Sequence, residues 1–533
     1  MSPSLGRASV LLGAGTIVSR LTGFLRTVVL VSAIGATTGA GNAFAIANQL
    51  PNNIYAVIQA GLLTAVVVPQ IVKAARHDDG GSAFVSKLLT LGTVVLLGVT
   101  AVAVVAAPLL VQLYAPNFSP DQQAITTAFA YWCLPQILFY GLYALVGETL
   151  NARRVFGPFT WAPIINNVVS IAGFGAFIAI FGLTESIDHW TPAMVALLAG
   201  TATFGIAVQA AILFFFWRRT GLHVRPDFRW RGVGLRHIGR LAGWTFLMVI
   251  AGQLAGLVQS QILSEVNEGF PGVFVSQNAW LLFMLPYSII AVSIGTPYFT
   301  QLSEHAAAGR HEEVRADIGR SLRTVGLFIV AATAALAAAA IPASRIFTNT
   351  SAEAVDAALV LVCFLSGLLP LSVLFIVQRT FYVYNDTRTP FLFTLVQCVL
   401  VVVTALLASW LVPLEFLAAG IAAGQSIAGI VQMVLAVLLL NRRLGGIGVL
   451  AWMPALARYV VAAVPAGFAG WGVFLLLGGA EGWTVADKLF GALGAAIVGS
   501  ASLLVYVGVL ALLRAPELGP AVSMLKRFTP GRK

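Results

Sequence analysis

The chain has 533 residues, of which 59% are hydrophobic and only 10% are charged. Because a soluble globular protein carries roughly 25% charged residues, this composition excludes a soluble protein and indicates an integral membrane protein. The net charge of +11 is compatible with nucleic-acid binding or with basic loops beside a membrane, and the positions of the charges decide between the two.

Fourteen apolar runs are long enough to cross a bilayer, which takes about 20 residues of helix. In chain order, these predicted spans 1 to 14 lie at about 8–34, 42–73, 84–114, 123–150, 158–183, 192–217, 237–263, 272–300, 321–347, 354–384, 389–412, 415–440, 456–478 and 488–513. An all-α polytopic membrane protein is therefore predicted, and the even number of spans places both termini on the same side.

The connections between spans alternate sharply in charge. Of the 31 basic residues, 27 lie in the termini or in or beside the even-numbered connections. Lysine and arginine concentrate on the cytoplasmic side of membrane proteins, so both termini and every even-numbered connection are predicted to be cytoplasmic. This placement removes nucleic acid as a partner. The first run is too long for a cleaved signal peptide, and it is predicted to remain as an anchor.

Predicted span 1 contains two arginines, Arg20 and Arg26, at a depth where hydrocarbon would surround an isolated helix. Each costs at least about 2.5 to 3.5 kcal/mol to insert, so such charges usually face a polar cavity. The two lie about 9 Å apart along the axis and about 120° apart around it. Both can therefore border one wide cavity, particularly if Gly23 lets the helix bend. The alternative is that they only donate to carbonyls of neighbouring helices.

The connection from Thr220 to Arg240 interleaves apolar and basic residues. This composition predicts a helix lying in the anionic surface of the inner leaflet. The chain is then divided as follows: a first lobe at 1–220, this linker at 221–240, a second lobe at 241–443, the last two spans at 444–515 and a tail at 516–533.

Short motifs recur six spans apart, which indicates two parallel halves related by an axis along the membrane normal. Aligning predicted span 7 on span 1 places Gln253 and Gln259 at the positions of Arg20 and Arg26. One wall of a cavity between the halves would then be cationic and the other neutral but hydrogen-bonding. Guanidinium groups pair bidentately with phosphate oxygens, so this cavity suits a substrate with a concentrated anion and a large polar remainder.

No catalytic constellation, phosphate-cradling glycine loop or metal-ligand spacing is present in the sequence, so neither an enzyme nor a metal or other cofactor is predicted. Glu148 is the one acid clearly inside a span. It is either an ion site, as intramembrane carboxylates often are, or the partner of Arg153 or Arg154 at the interface. Prolines inside four spans predict helix bends; they are Pro135, Pro163, Pro286 and Pro370.

Several motifs together resemble the MurJ (MviN) family of lipid II flippases. They are Ser19-Arg20-Leu21-Thr22-Gly23-Phe24-Leu25-Arg26, Ala43-Phe44, Leu50-Pro51-Asn52, Gly61, Val68-Pro69, Leu150-Asn151-Ala152-Arg153, Phe156-Gly157-Pro158, Trp161-Ala162-Pro163, Arg379-Thr380-Phe381-Tyr382 and Asp386-Thr387-Arg388-Thr389-Pro390. The resemblance covers nearly the whole chain.

This resemblance implies a fourteen-helix member of the multidrug/oligosaccharidyl-lipid/polysaccharide exporter superfamily. Two six-helix lobes would form a V-shaped transporter around a cationic cavity, with a groove at 444–515 for the lipid tail. The implied substrate is undecaprenyl-diphosphate carrying the disaccharide-pentapeptide of peptidoglycan, moved from the inner to the outer leaflet of the bacterial cytoplasmic membrane by alternating access.

By the same resemblance, Arg20 and Arg26 match two essential arginines of the family and would contact the diphosphate. The residues expected to line the cavity are Ser19, Gly23, Asn42, Asn52, Gln253, Gln259 and Arg379. Further expected partners are membrane lipids, a coupling ion and proteins of cell-wall synthesis.

The chain departs from the family pattern at four positions, which makes the expected cavity less charged. Asn42 stands where better-known members have aspartate, and Tyr55 stands in place of an arginine. Leu281 and Met284 replace an arginine and a glutamate. Two other functions stay open at this point: a cation-coupled exporter of drugs or small molecules from the same superfamily, and a non-transporting scaffold for envelope assembly.

Overall fold

A computed structural model describes residues 3–60, 79, 81–153, 155, 157–184, 186–229 and 235–519, with side chains for all of these except 3–14 and 235–242. Within those ranges the chain forms helices and turns but no β-strand. The α-helices are α1 (Pro3–Ile34), α2 (Gly39–Ile58), α3 (Ser82–Val105), α4 (Ala107–Tyr114), α5 (Pro120–Cys133), α6 (Gln136–Ala152), α7 (Gly157–Phe181), α8 (Pro192–Phe215), α9 (Leu235–Leu263), α10 (Val273–Pro286), α11 (Ser293–Ala307), α12 (His311–Ala338), α13 (Ala340–Arg345), α14 (Ser351–Leu365), α15 (Leu368–Val383), α16 (Arg388–Leu411), α17 (Leu417–Arg443), α18 (Val449–Leu476) and α19 (Lys488–Leu512).

In the part of the chain that the structure describes, 13 helical segments are long and apolar enough to cross a membrane. Each corresponds to one of the fourteen predicted spans. Predicted span 2 begins with α2, and its continuation from residue 61 lies outside the described residues. The prediction of an all-α polytopic membrane protein is confirmed.

The chain divides into two compact units, Met1–Glu268 and Gly269–Lys533. In the first unit, α7 packs between α1 and α8, while α2 packs on α5. Helix α9 belongs to this unit and is tied to the end of α4 and the segment after it. Gln261 Nε2 donates to the Leu113 carbonyl at 2.8 Å, and Asn117 Nδ2 donates to the Gln261 carbonyl at 3.2 Å. The lobe boundaries expected near residues 220 and 240 stay predictions.

Close helix packing in the first unit depends on small residues, as is usual in membranes. A β-carbon at Gly173 of α7 would collide with Thr201 of α8, and one at Gly205 of α8 would collide with Asn166 of α7. The backbones of α7 and α8 can therefore approach closely, and α7 in turn supports α1.

In the second unit, α18 packs between α12 and α19, and α16 packs on α17. Polar contacts join the ends of three helices here. His311 Nδ1 lies 3.0 Å from the Tyr384 hydroxyl, and Arg443 forms an ion pair with Asp386. Partial burial opposes ionisation of Asp386, but hydrogen bonds from Thr389 and the nearby Arg443 charge outweigh it and hold the pKa of Asp386 below its usual range.

The four intramembrane prolines have different effects on the helices. A helix break at Pro135 separates α5 from α6, and a π-helical segment, Tyr287–Val292, directly follows Pro286. Helix α7 runs through Pro163 without a break, and Pro370 lies in the first turn of α15. Only Pro135 and Pro286 therefore coincide with an interruption of the regular α-helix.

The linker differs from the amphipathic helix predicted for Thr220–Arg240. Residues 221–229 are not helical, residues 230–234 lie outside the described part, and α9 begins at Leu235. Gly221, with φ of +69°, ends a short 3₁₀ turn. The prediction of a helix is therefore wrong for 221–229, because the backbone N–H groups there donate to side chains of another helix, whereas the location at the membrane surface stays a prediction.

Those hydrogen bonds attach the linker to α3. The backbone N–H groups of His223, Arg225 and Asp227 donate to the hydroxyl oxygens of Ser82, Ser86 and Thr90 at 3.3, 3.1 and 3.0 Å. Every second linker residue thus meets every fourth residue of α3, because two extended residues and four helical residues rise by similar amounts. We call these three bonds the hydroxyl ladder.

Removing two of the ladder hydroxyls should release the linker without unfolding the unit. In a Ser86→Ala, Thr90→Val double variant, two neutral hydrogen bonds worth roughly 0.5 to 1.5 kcal/mol each are lost, so local opening should increase about 5- to 150-fold. Limited trypsin digestion at Arg229 measures this opening, because the bond after Arg225 precedes Pro226 and resists trypsin. Thr333→Val is the control, because the Thr333 hydroxyl donates only within its own helix, to Ile329. Equal cleavage rates in the double variant and the native chain would contradict the ladder.

Candidate functional site

The stretch of α1 that contains both arginines is held by one asparagine. Asn167 of α7, which is only 6% exposed, donates from Nδ2 to the Ser19 carbonyl and to Thr22 Oγ1, both at 3.0 Å. A β-carbon at Gly23 would lie 3.5 Å from the same Nδ2 atom. Helix α1 passes through Gly23 without interruption, so this glycine provides a close approach for α7 and no break in the helix.

The two arginines differ in exposure, and neither has a hydrogen-bonding partner among the described residues. Arg20 is exposed and Arg26 is half-buried. Among the residues that the structure describes, neither guanidinium forms an ion pair or a hydrogen bond. The alternative expectation was that the arginines only donate hydrogen bonds to carbonyls of neighbouring helices. No such hydrogen bond is formed in the described ranges. Ten guanidinium N–H donors are available at this face of α1.

A tyrosine on α6 lies beside Arg26, and a second tyrosine packs on the first. The guanidinium lies within electrostatic range of the Tyr140 hydroxyl on α6, and the Tyr140 ring stacks on Tyr55 of α2 with centroids 5.5 Å apart and planes at 28°. The nearby Tyr143 donates its hydroxyl to the Phe159 carbonyl at 2.7 Å. Tyr55, which stands where the family pattern has an arginine, thus supports Tyr140 and adds no charge.

Glu148 lies on the same helix as Tyr140 and is half-buried. Its carboxylate is within electrostatic range of Tyr55 and Tyr143. In the described part of the chain it has no ion pair, so the expected pair with Arg153 is not formed, and Arg154 lies outside the described residues. The carboxylate is left among neutral tyrosines in a membrane-spanning helix.

The other residues expected to line a cavity have different environments. Asn42 is 3% exposed and is enclosed by the packing of the first unit, whereas Asn52 is exposed. Gln253 and Gln259 are half-buried on α9. The structure therefore joins Ser19, Arg20, Gly23 and Arg26 in one stretch of α1, and it places Asn42 inside the protein.

Arg379, in the second unit, lies among aromatic rings. Its guanidinium carbon is 4.4 Å from the centroid of Phe375 and 5.1 Å from that of Phe299. The sequence motif identified this arginine but not its aromatic neighbours, because Phe299 is far away in the chain. Tyr140 was missed as well, and the adjacent polar pair Asn166-Asn167 inside a span is a sequence signal that could have indicated the support of α1.

A family model and two relatives that match this sequence carry the same description. The family model described as "Lipid II flippase MurJ" matches residues 30–486. A "Probable lipid II flippase MurJ" of Rhizobium tropici is 27% identical over 473 residues, which cover 85% of this chain and 84% of the relative. A protein of the same name from Synechocystis sp. is 24% identical over 532 residues, which cover 97% of this chain and 96% of the relative.

Solved structures share the fold. The structure titled "Lipid II flippase MurJ, inward closed conformation" superimposes with a TM-score of 0.71 at 19% identity, covering 92% of this chain and 98% of that chain. An inward-facing multidrug resistance MATE family transporter of the MOP superfamily gives a TM-score of 0.66 at 15% identity, covering 80% of this chain and 94% of that chain. The match to the family model begins at residue 30, after Arg20 and Arg26, so the part played by these arginines must be argued from their own surroundings.

Proposed function

This chain belongs to the lipid II flippase MurJ family, and from that premise we propose that Arg20 and Arg26 hold the diphosphate of lipid II as the lipid crosses the membrane. The observation that carries the proposal is a pair of guanidinium groups on one membrane-spanning helix, neither of which is paired with a carboxylate in the described part of the chain. Guanidinium forks match phosphate oxygens in geometry and charge.

The substrate is lipid II, and the protein is a multi-pass transporter of the cytoplasmic membrane with no catalytic role assigned to any residue. A diphosphate diester carries about two negative charges, which two arginines offset. Because an uncompensated charge costs several kcal/mol to move into a low-dielectric interior, this neutralisation lowers the barrier to moving the headgroup. Tyr140 beside Arg26 is not a carboxylate, so a substrate phosphate can supply the counter-charge of the guanidinium.

Support for the α1 site by Asn167 fits this role. A binding arginine is most effective when its backbone is fixed before the ligand arrives, because less ordering is then required on binding. The two bonds from Asn167 to the turn between Ser19 and Thr22 fix the segment that connects the two arginines. We place Ser19 and Gly23 in the site for this structural reason and assign them no charge interaction with substrate.

The lipid tail is assigned to the last two spans and their neighbours in the second unit. A cleft of about 880 Å³ lies beside the first of these two spans, α18, and is lined almost wholly by apolar side chains of α12, α14, α15 and α18, including Leu369, Phe468 and Trp471. An isoprenoid chain is satisfied by apolar contact alone, so such a surface suits it.

Transport is proposed to run from the inner to the outer leaflet by alternating access, with both termini cytoplasmic. The charge asymmetry of the connections supports that orientation. Glu148 is the proposed site for a coupling ion, because it is a half-buried carboxylate inside a span and intramembrane carboxylates commonly serve in this way. We also propose that the protein contacts proteins of cell-wall synthesis.

The direct test is exposure of lipid II on the outer leaflet. Cells depleted of their own flippase are supplied with the native chain or with an unrelated polytopic protein at matched abundance, and outer-leaflet lipid II is measured by its accessibility to an added enzyme that cleaves it. We expect exposure only with the native chain. Equal exposure with the two proteins would overturn the proposal.

A further inference from the structure

Arg379 lies in a membrane-spanning segment, Ser351–Val383, four residues before the last residue of α15. This position is about 6 Å from the helix end, the depth at which lipid phosphates are within reach of a long side chain. The guanidinium carbon lies over the Phe375 ring, one turn earlier on the same helix, at 4.4 Å and over the Phe299 ring of α11 at 5.1 Å. Both distances are within the range of cation–π interactions.

These aromatic contacts leave the hydrogen-bonding capacity of Arg379 unused. A guanidinium has five N–H donors in its plane, and contact with ring faces satisfies none of them. In the described part of the chain, Arg379 has neither an ion pair nor a hydrogen bond. Arg345 in the same unit is the contrast, since its guanidinium donates to the carbonyls of Val485, Thr348 and Ala486.

Two tyrosine hydroxyls lie within electrostatic range of Arg379. One belongs to Tyr287, the first residue of the π-helical segment after Pro286, whose ring meets Phe375 edge-on at 5.9 Å. The other belongs to Tyr382, whose hydroxyl oxygen accepts a hydrogen bond from Gln378 Nε2 at 2.7 Å. That bond leaves the Tyr382 hydroxyl hydrogen free to donate. π-Helical segments are frequent at functional sites.

This cluster of one cation and two hydroxyl donors has the chemistry of a receptor for an oxyanion. A bare carboxylate would satisfy the guanidinium equally well, but none of the described acids is within ion-pairing distance of it. The positions where the family pattern has a charged pair, Leu281 and Met284 of α10, are apolar here. Arg379 is thus a cation of the second unit that lies within a span close to lipid headgroups and has no ion-pair partner among the described residues.

We propose that Arg379, with the hydroxyls of Tyr287 and Tyr382, is a second phosphate-binding site and that it binds the diphosphate of the lipid substrate. The assignment to substrate rests on the proposed function, whereas the assignment to a lipid phosphate does not. Phe375 and Phe299 position the guanidinium with its N–H edge available.

The test uses the full chain in nanodiscs and two binding measurements. The affinity for lipid II is measured in phosphatidylcholine discs, and the enrichment of phosphatidylglycerol over phosphatidylcholine around the protein is measured in mixed discs. The variants are Arg379→Met, which keeps side-chain length without charge, and Arg379→Lys, which keeps charge without the planar fork. Arg310→Met is the control, because Arg310 is an exposed arginine paired with Glu313.

For Arg379→Met we expect at least about a tenfold loss of lipid II affinity, as for the loss of a charge-assisted hydrogen bond, with phosphatidylglycerol enrichment unchanged. Arg379→Lys should be intermediate and Arg310→Met within about twofold of native. A fall in phosphatidylglycerol enrichment with unchanged lipid II affinity would keep the phosphate site but overturn the assignment to substrate. No change in either measurement, with thermal stability preserved, would overturn the site itself.

The experiment distinguishes failure of the proposed flippase function from failure of the Arg379 site. If the native chain binds no lipid II, the flippase assignment fails, and the phosphatidylglycerol arm still decides whether Arg379 binds phosphate. Phe375→Leu provides a further check, because it removes the aromatic face and keeps the charge. A smaller loss of affinity than for Arg379→Met is expected if the ring positions the guanidinium, and an equal or greater loss would contradict that role.

Discussion

Replacing Arg26 with glutamine is expected to remove most lipid II transport while leaving the protein inserted and folded. The Arg26 guanidinium is half-buried beside Tyr140, where a hydrogen bond to an ionised phosphate is worth roughly 1.5 to 3 kcal/mol, or about 10- to 150-fold in rate. Arg20→Gln should have a similar effect, and the double variant should be inactive. The measurement is outer-leaflet exposure of lipid II at matched protein abundance.

Two comparisons separate binding from folding. Arg26→Lys keeps the charge but loses the bidentate fork, so its activity should fall between native and Arg26→Gln. Arg442→Gln, which changes an exposed arginine outside the predicted spans, should transport normally. Because Arg26 has no carboxylate partner in the described residues and its charge is costly to bury, Arg26→Gln should not lower the thermal midpoint. Normal transport by both single variants would show that the arginines are structural.

In contrast to Arg26, Arg345 is expected to be essential for stability, and loss of its guanidinium should destabilise the second unit strongly. Arg345 is 6% exposed, and its N–H groups donate to the carbonyls of Val485 at 2.8 Å, Thr348 at 2.6 Å and Ala486 at 3.0 Å. These bonds join α13 to the segment before α19. Arg345→Met leaves buried carbonyls without donors, at a cost of about 3 to 5 kcal/mol.

For a unit of this size, each kcal/mol lowers the thermal midpoint by about 2 to 4 °C, so a fall of roughly 6 to 20 °C is expected. Thermal denaturation of the purified protein in detergent measures it. Arg345→Lys should recover part of the loss, since an ammonium can reach one or two of the carbonyls, and Arg442→Met should match the native chain. An unchanged midpoint for Arg345→Met would contradict the role assigned to these three bonds.

The positions of the membrane-spanning helices follow from the sequence because bilayer thickness fixes the length of an apolar run. The same reasoning identified Arg20 and Arg26, since a charge inside such a run is costly and therefore informative. A glycine at position 23 permits a bend in α1, but the environment of Gly23 is set by Asn167 of another helix. Tyr140 gave no signal, because an intramembrane tyrosine has many ordinary uses.

The linker shows why local composition was insufficient. Alternating apolar and basic residues are typical of an interfacial helix, yet the hydroxyls that bind the linker backbone are in α3, more than 130 positions earlier. A sequence window around residues 221–229 contains none of those partners. Of the two aromatic neighbours of Arg379, Phe299 has the same property, since it comes from a different helix.

The geometry of the hydroxyl ladder also limits its length, because the linker and the helix rise by slightly different amounts per rung. Two extended residues advance by about 6.4 to 6.8 Å, whereas four helical residues advance by about 6.0 Å. Each further rung therefore adds about 0.4 to 0.8 Å of mismatch, which is comparable to the range of about 0.5 Å that normal hydrogen bonds span, so the match cannot continue over many rungs. The chain ends the pattern at that point: the next position on α3 is Val94, which has no hydroxyl, and the N–H of Arg229 donates to Asp227 Oδ1 at 2.9 Å. An insertion of one helical turn in α3 would therefore shift the linker along the helix and could not lengthen its attachment.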